Sequence, residues 1–172
     1  MKISADSIKE LRELSGAGIM DCRNVLAEVK GDMEKAQAML KERNLFKAEK
    51  KKGRSVSQGL IEAYVHAGGR IGAMIELNCE TDFAARTNEF KELAHNLALQ
   101  VAAMPARFIS TDEIPAGAEG VEEKVDCLLL QPYIRNLDMT IQDVINETIA
   151  KVGENIKISR FARYEVGEGK EE

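Results

Sequence analysis

Tryptophan is absent from this sequence, histidine occurs only as His66 and His95, and cysteine only as Cys22, Cys79 and Cys127. Two distant histidines give no His-x-x-x-His spacing, so no zinc site of that type is expected. The cysteines are too few and too scattered for a disulfide framework, and none makes a Cys-x-x-Cys pair; they read as reduced structural thiols. Proline is confined to Pro105, Pro115 and Pro132. No apolar run approaches bilayer length, and Met1-Lys2-Ile3-Ser4 leads straight into a charged helical pattern without a signal or transit peptide, which places the expected location in the cytosol. A glycine-rich phosphate loop is missing too: Gly16-Ala17-Gly18 has neither a third glycine nor a preceding strand. The expectation is therefore no cofactor, no metal, no membrane and no direct nucleotide binding. Acidic residues outnumber basic ones by 29 to 24, and the net charge of -5 argues against nucleic acid as a general partner. A protein partner is the readier expectation.

What is present suits a soluble globular chain of one medium domain or two small ones, with 44% hydrophobic and 31% charged residues. Ile3, Ile8, Leu11 and Leu14 recur at helical spacing behind Ser4 and Ser7, and the pattern stops at Ser15-Gly16-Ala17-Gly18. A second helix carries Ile19, Cys22, Leu26 and Val29 on one face and ends at Lys30-Gly31. Asp32 caps a third, with Met33, Ala36, Met39 and Leu40 as its stripe. Three short helices with one apolar face each predict a bundle over residues 1–46, with Arg12 and Met20 left over for a partner surface. Residues 47–59, beginning Lys-Ala-Glu-Lys-Lys-Lys-Gly-Arg, read as a basic linker. The remainder, 60–172, reads as an α+β domain of antiparallel sheet packed with helices.

Within that domain, Leu60–His66 and Ile71–Leu77 flank a Gly68-Gly69 pair, a hairpin signal because both glycines tolerate positive φ. Leu60, Tyr64, Ile71, Ala73, Ile75 and Leu77 then share one face; Ile61, Ala63, Val65 and Met74 share the other. Both faces are apolar, so each is expected to be covered, by the chain's own helices or by another chain. Phe90, Leu93, Ala94, Leu97, Ala98, Val101 and Ala102 form the core stripe of a long helix ended by Pro105, with His95 and Gln100 off the stripe and facing solvent. Arg107–Ser110 reads as a short strand and Glu122–Leu130 as helical. Thr140 caps a last helix stopped by Gly153, Asn155–Val166 reads as a strand, and Gly167–Glu172 as a solvated acidic tail.

Between the hairpin and the long helix lies Asn78-Cys79-Glu80-Thr81-Asp82-Phe83-Ala84-Ala85. Few turns carry two acids and an aromatic. Phe83 either folds back to cap the core, as large apolar side chains generally do, or protrudes as a plug for a partner. The acids either favour the following helix N-terminus or belong to the contact. Cys79 with His66 or His95 offers a thiol and a base, but no third orienting group is evident, so an enzyme is the weaker class. A generic adaptor using the three-helix bundle is the alternative to a factor acting through Phe83.

Two long stretches carry a resemblance: Leu11-Arg12-Glu13-Leu14-Ser15-Gly16-Ala17-Gly18-Ile19-Met20-Asp21-Cys22 and Ile75-Glu76-Leu77-Asn78-Cys79-Glu80-Thr81-Asp82-Phe83, followed by Gly153-Glu154-Asn155-Ile156. In this order they resemble the translation elongation factor Ts family over essentially the whole chain. The resemblance implies a three-helix bundle of ubiquitin-associated type before the core domain, and guanine-nucleotide exchange on elongation factor Tu without covalent catalysis. It implies that a Thr-Asp-Phe-Val segment intrudes near the partner's nucleotide site and disfavours its magnesium ion, a role that falls here to Thr81, Asp82 and Phe83, with Ala84 in place of Val. It also implies a grip by the N-terminal domain on the partner's GTPase domain, for which Arg12, Gly16, Gly18 and Met20 are the candidates. Longer members carry two related core halves; here there is one hairpin, one such turn and no internal repeat. A chain with a single core half and a two-faced apolar hairpin is expected to pair with a second copy as a homodimer.

Overall fold

The computed structural model describes residues 3–168. Three helices open the chain: α1 (Ala5–Ser15), α2 (Ile19–Glu28) and α3 (Met33–Glu49). Each boundary has a local cause. Ser4 Oγ accepts from Ser7 N at 3.0 Å, and Asp32 accepts from Lys35 N at 3.1 Å. Gly16 closes α1 with φ +61°, a conformation that strains side-chain-bearing residues. Leu11, Cys22, Val25, Leu26, Ala36 and Leu40 form the bundle's core. Leu14 and Ile19, expected inside, are instead more than half exposed, because they sit at the α1–α2 corner where the stripes run past the third helix.

Helix α3 does not stop at residue 46. It continues through Glu49, so residues 47–49 of the segment read as linker are helical, and Ala48 joins the core of the following domain. Three of the basic residues here are held: Lys47 pairs with Asp21 at 3.0 Å, Lys50 lies over the Phe46 ring at 4.3 Å, and Arg54 pairs with Glu80 at 3.4 Å.

The remaining elements are β1 (Gln58–Val65), β2 (Ile71–Cys79), α4 (Asp82–Ala85), α5 (Asn88–Ala103), α6 (Glu123–Asp126), β3 (Pro132–Tyr133), β4 (Asn136–Thr140), α7 (Ile141–Val152) and β5 (Ile156–Glu165). This is the expected α+β architecture, a helical bundle followed by an antiparallel sheet packed with helices. The three-stranded sheet has the order β1-β2-β5. Its hairpin register, Val65 opposite Gly72 and Leu60 opposite Leu77, is the one implied by a turn centred on Gly68-Gly69. A register shift between Glu76 and Leu77 against β5 changes the side-chain parity, so Phe161 and Arg163 follow Ile156 and Ile158 toward the helices.

One sheet face packs on α5 and α7 around Ile75, Leu77, Phe90, Leu97, Leu128 and Ile141, all essentially fully buried. Among the described residues, no helix lies over the other face. Ile61, Val65, Met74 and Tyr164 on that face are each about half exposed or more.

Gln100 is a correction. It is completely buried, donating through Nε2 to Gln131 Oε1 at 3.1 Å and to Pro132 O at 3.2 Å, while its Oε1 accepts from Ile134 N at 3.0 Å. The chain at 131–134 crosses α5 with unpaired backbone groups, and an interior amide satisfies them. Two further readings change. Glu122–Leu130 is not one helix: Cys127 is extended, and it separates α6 from a 3-10 turn at Leu128–Leu130. Arg107–Ser110 supplies only a single bridge, Phe108 to Cys127. From residue 169 on, the expected acidic tail lies outside the described residues.

The bundle docks on the core along α3 and α7, where Lys41 pairs with Asp143 at 2.9 Å. Glu147 lies in this seam, half-buried and without an ion pair among the described residues, and burial pushes its carboxyl up to about 7. On its other side a cleft of about 140 Å³ runs between α5 and α7, lined by Glu89, Glu92, Asn96, Glu147 and Lys151 among others.

Candidate functional site

The segment after β2 folds as a capped turn. Thr81 has extended backbone angles and its hydroxyl oxygen accepts from Ala84 N at 3.3 Å, starting α4; six residues on, Thr87 accepts from Phe90 N at 3.3 Å to start α5. Thr87 Oγ1 also donates to Ala84 O at 2.8 Å, so the short helix is fastened at both ends. Ala84 and Ala85 face inward and are buried. Four residues cannot turn every side chain to the core, and Phe83 is the one sent outward, with 76% of its surface exposed. The reading in which Phe83 folds back as a core cap is thereby excluded. Asp82 lies beside it, paired with Arg86 at 2.8 Å.

Beneath the turn the polar groups are bonded. Glu154, in the bend after α7, accepts from Thr81 N at 2.9 Å and from Thr81 Oγ1 at 2.7 Å. Cys79 Sγ donates to Thr81 O at 3.1 Å. The Cys79 thiol is raised above its ordinary range, first by burial and then by the charge of Glu154, the opposite of what a nucleophile requires. Neither histidine serves it as a base: Nδ1 of His95 lies 3.0 Å from Glu62, and Nδ1 of His66 lies 3.2 Å from the Tyr64 hydroxyl.

The four N-terminal candidates fall together at the α1–α2 corner. Arg12 and Met20 are exposed, and Ile19 and Leu14 add apolar area that helical periodicity assigned to the core. Gly18 is the N-cap residue of α2. Gly16 N donates to Arg12 O at 2.7 Å, and a Cβ on Gly16 would run into the end of the Lys151 side chain from α7. This corner and the Phe83 turn are thus two separate exposed features, with no hydrogen bond between the two groups of candidates among the described residues.

Comparison with known proteins decides the family. Residues 3–126 match the elongation factor TS family. The chain belongs to the elongation factor Ts family. Full-length relatives agree: an elongation factor Ts of Thermotoga sp. (strain RQ2) is 48% identical over 199 aligned positions spanning all of both chains, and one of Moorella thermoacetica is 46% identical over 97% of each. The elongation factor Ts of Syntrophomonas wolfei is 46% identical over 97% of this chain and 92% of its own. Family membership carries the coarse function: a cytoplasmic translation factor that promotes guanine-nucleotide exchange on elongation factor Tu and is not itself an enzyme. Of the residues involved in shaping the turn, sequence reading missed Glu154 and Asn155 as its partners; they appeared only as part of a motif.

Proposed function

We propose that this factor releases GDP from elongation factor Tu by setting Phe83, flanked by Thr81, Asp82 and Ala84, against the partner's nucleotide and magnesium site and so disfavouring the ion. The observation that carries this reading is an aromatic side chain 76% exposed on a helix of four residues capped by Thr81. A phenyl ring in water is costly to expose, and a partner crevice that buries it returns about 1.5–3 kcal/mol. A ten-thousandfold faster release requires about 5.5 kcal/mol off the barrier. The wedge therefore accounts for part of the effect, and the loss of cation and phosphate contacts within the partner supplies the rest. Binding the nucleotide-free partner more tightly than the loaded one is what drives release, and nucleotide weakens the factor's grip by the same ratio.

The second grip is assigned to the α1–α2 corner, through Arg12, Met20 and the glycines Gly16 and Gly18. The division into a bundle, a connecting segment and a core domain is part of the same reading, with the expected boundary at 46 moved to Glu49, where α3 ends, and the core domain beginning with β1 at Gln58. The outer sheet face, with Ile61, Val65, Met74 and Tyr164 uncovered, is assigned to a second copy of the chain. Light scattering at micromolar concentration is expected to give twice the 19.0 kDa chain mass, and a single species at 19.0 kDa would refute the dimer.

The deciding experiment is stopped-flow release of a fluorescent GDP from elongation factor Tu, with wild type and with Phe83→Ala. Wild type is expected to accelerate release, and the variant to lose most of that acceleration with an unchanged circular dichroism spectrum. A variant as active as wild type would overturn the wedge.

A further inference from the structure

The Phe83 turn is fixed by residues far from it in sequence. Glu154 holds Thr81 by both its amide and its hydroxyl, at 2.9 and 2.7 Å. With its proton committed to Glu154, the Thr81 hydroxyl presents lone pairs to Ala84 N, which is the geometry an N-cap needs. The adjacent residues run the connection in the other direction. Glu80, just before the turn, accepts through Oε1 from Asn155 N at 2.7 Å and from Arg54 Nη1 at 3.4 Å. Asn155, almost wholly buried, donates through Nδ2 to Arg54 O at 2.8 Å and to Lys52 O at 3.4 Å. Three segments that are remote in the chain, 52–54 after α3, 79–81 before α4 and 154–155 after α7, are therefore each bonded to the other two.

We infer that Glu154, Asn155 and Glu80 are positioning residues for exchange: they hold the Phe83 turn in one fixed relation to the end of α3, and hence to the bundle that carries the second grip. This inference rests on the reading of Phe83 given under Proposed function. A carboxylate bonded to backbone and hydroxyl donors is directional as apolar packing is not, and it sets the turn's orientation as well as its place. The requirement for direction is plain in a two-point grip. If the turn rotates, Phe83 misses its crevice while the bundle still binds.

The test separates binding from release. Maximal GDP release rate and the factor concentration giving half that rate are measured by stopped flow with full-length Glu154→Ala, Glu154→Gln and Thr81→Val, the last removing only the hydroxyl. Misplacing a contact by about 1 Å can cost up to about a hundredfold in rate, so Glu154→Ala is expected to lower the maximal rate by about tenfold or more. The half-saturating concentration should move by less than about threefold, since the bundle's contacts remain. Glu154→Gln keeps an acceptor for Thr81 N and should recover most of the loss. Combining Phe83→Ala with Glu154→Ala should add little to Phe83→Ala alone, because both act through the same ring. A folded Glu154→Ala or Thr81→Val protein with the wild-type maximal rate would overturn the inference. If Phe83→Ala is impaired in the same assay, only the positioning role fails; if Phe83→Ala is also unimpaired, the wedge itself has failed.

Discussion

Replacing Glu147 by glutamine should stabilise the protein, and should do so only above acidic pH. Glu147 lies where α3 meets α7. Burial, the largest influence, pushes its carboxyl from the ordinary 4.5 up to about 7, with Asp143 adding to the rise and Lys151 and Lys41 opposing it. Glu42 lines the adjoining groove on the α3 side, and Glu89 and Glu92 face the same cleft from α5. Below pH 4.5 both the folded and unfolded chains hold the proton, and the charge costs nothing. Between 4.5 and about 7 the unfolded chain releases the proton while the folded one keeps it, so stability falls as pH rises; above that range the loss is complete. At about 1.4 kcal/mol per pH unit the ceiling is ~3 kcal/mol, and solvent screening of this half-buried group reduces it to about 1–2 kcal/mol. Urea unfolding of wild type and Glu147→Gln at pH 4, 5, 6, 7 and 8 should give curves that coincide at pH 4 and separate progressively toward pH 8, with the variant the more stable. A stability difference that is constant across this range would refute the reasoning, because it would locate the effect in packing and not in ionisation.

Other expectations are as direct. Gln100→Ala leaves Ile134 N and Gln131 Oε1 without their partner in the interior; at about 1–3 kcal/mol for each abandoned group, urea unfolding should register a loss of about 2–6 kcal/mol, and a loss under about 1 kcal/mol would count against the network. Phe90→Ala, which empties a fully buried site under the sheet, should cost about 3–5 kcal/mol by the same measurement. Cys79, buried and with its proton held more firmly than in a free thiol, should react with iodoacetamide at pH 8 at least about tenfold more slowly than free cysteine. Rapid labelling followed by mass spectrometry would restore the case for a reactive thiol.

The elements that could be read in advance were those whose signal is local. Ser4, Asp32 and Thr140 cap the helices they were expected to cap, and Gly68-Gly69 fixes the hairpin register. The long stripe from Phe90 to Ala102 is buried throughout at the expected positions. Where the reading failed, the cause lay elsewhere in the chain. Gln100 is inside because residues 131–134 bring it donors and acceptors, and α3 runs on with Ala48 packed into the core of the domain that follows. The two-residue β3 leaves almost no alternation to detect. At the candidate site, the exposure of Phe83 follows from the shortness of its helix, whereas the bonds from Glu154 and Asn155 span more than seventy residues and no spacing rule reaches so far.

A turn fastened at Thr81, at Thr87 and through Glu154 has little compliance. When two surfaces meet, the softer one deforms, and the backbone that carries Phe83 has already lost its conformational freedom during folding. If Phe83 is the wedge proposed above, the ring acts as a die, and the rearrangement that accompanies nucleotide release is expected in the partner.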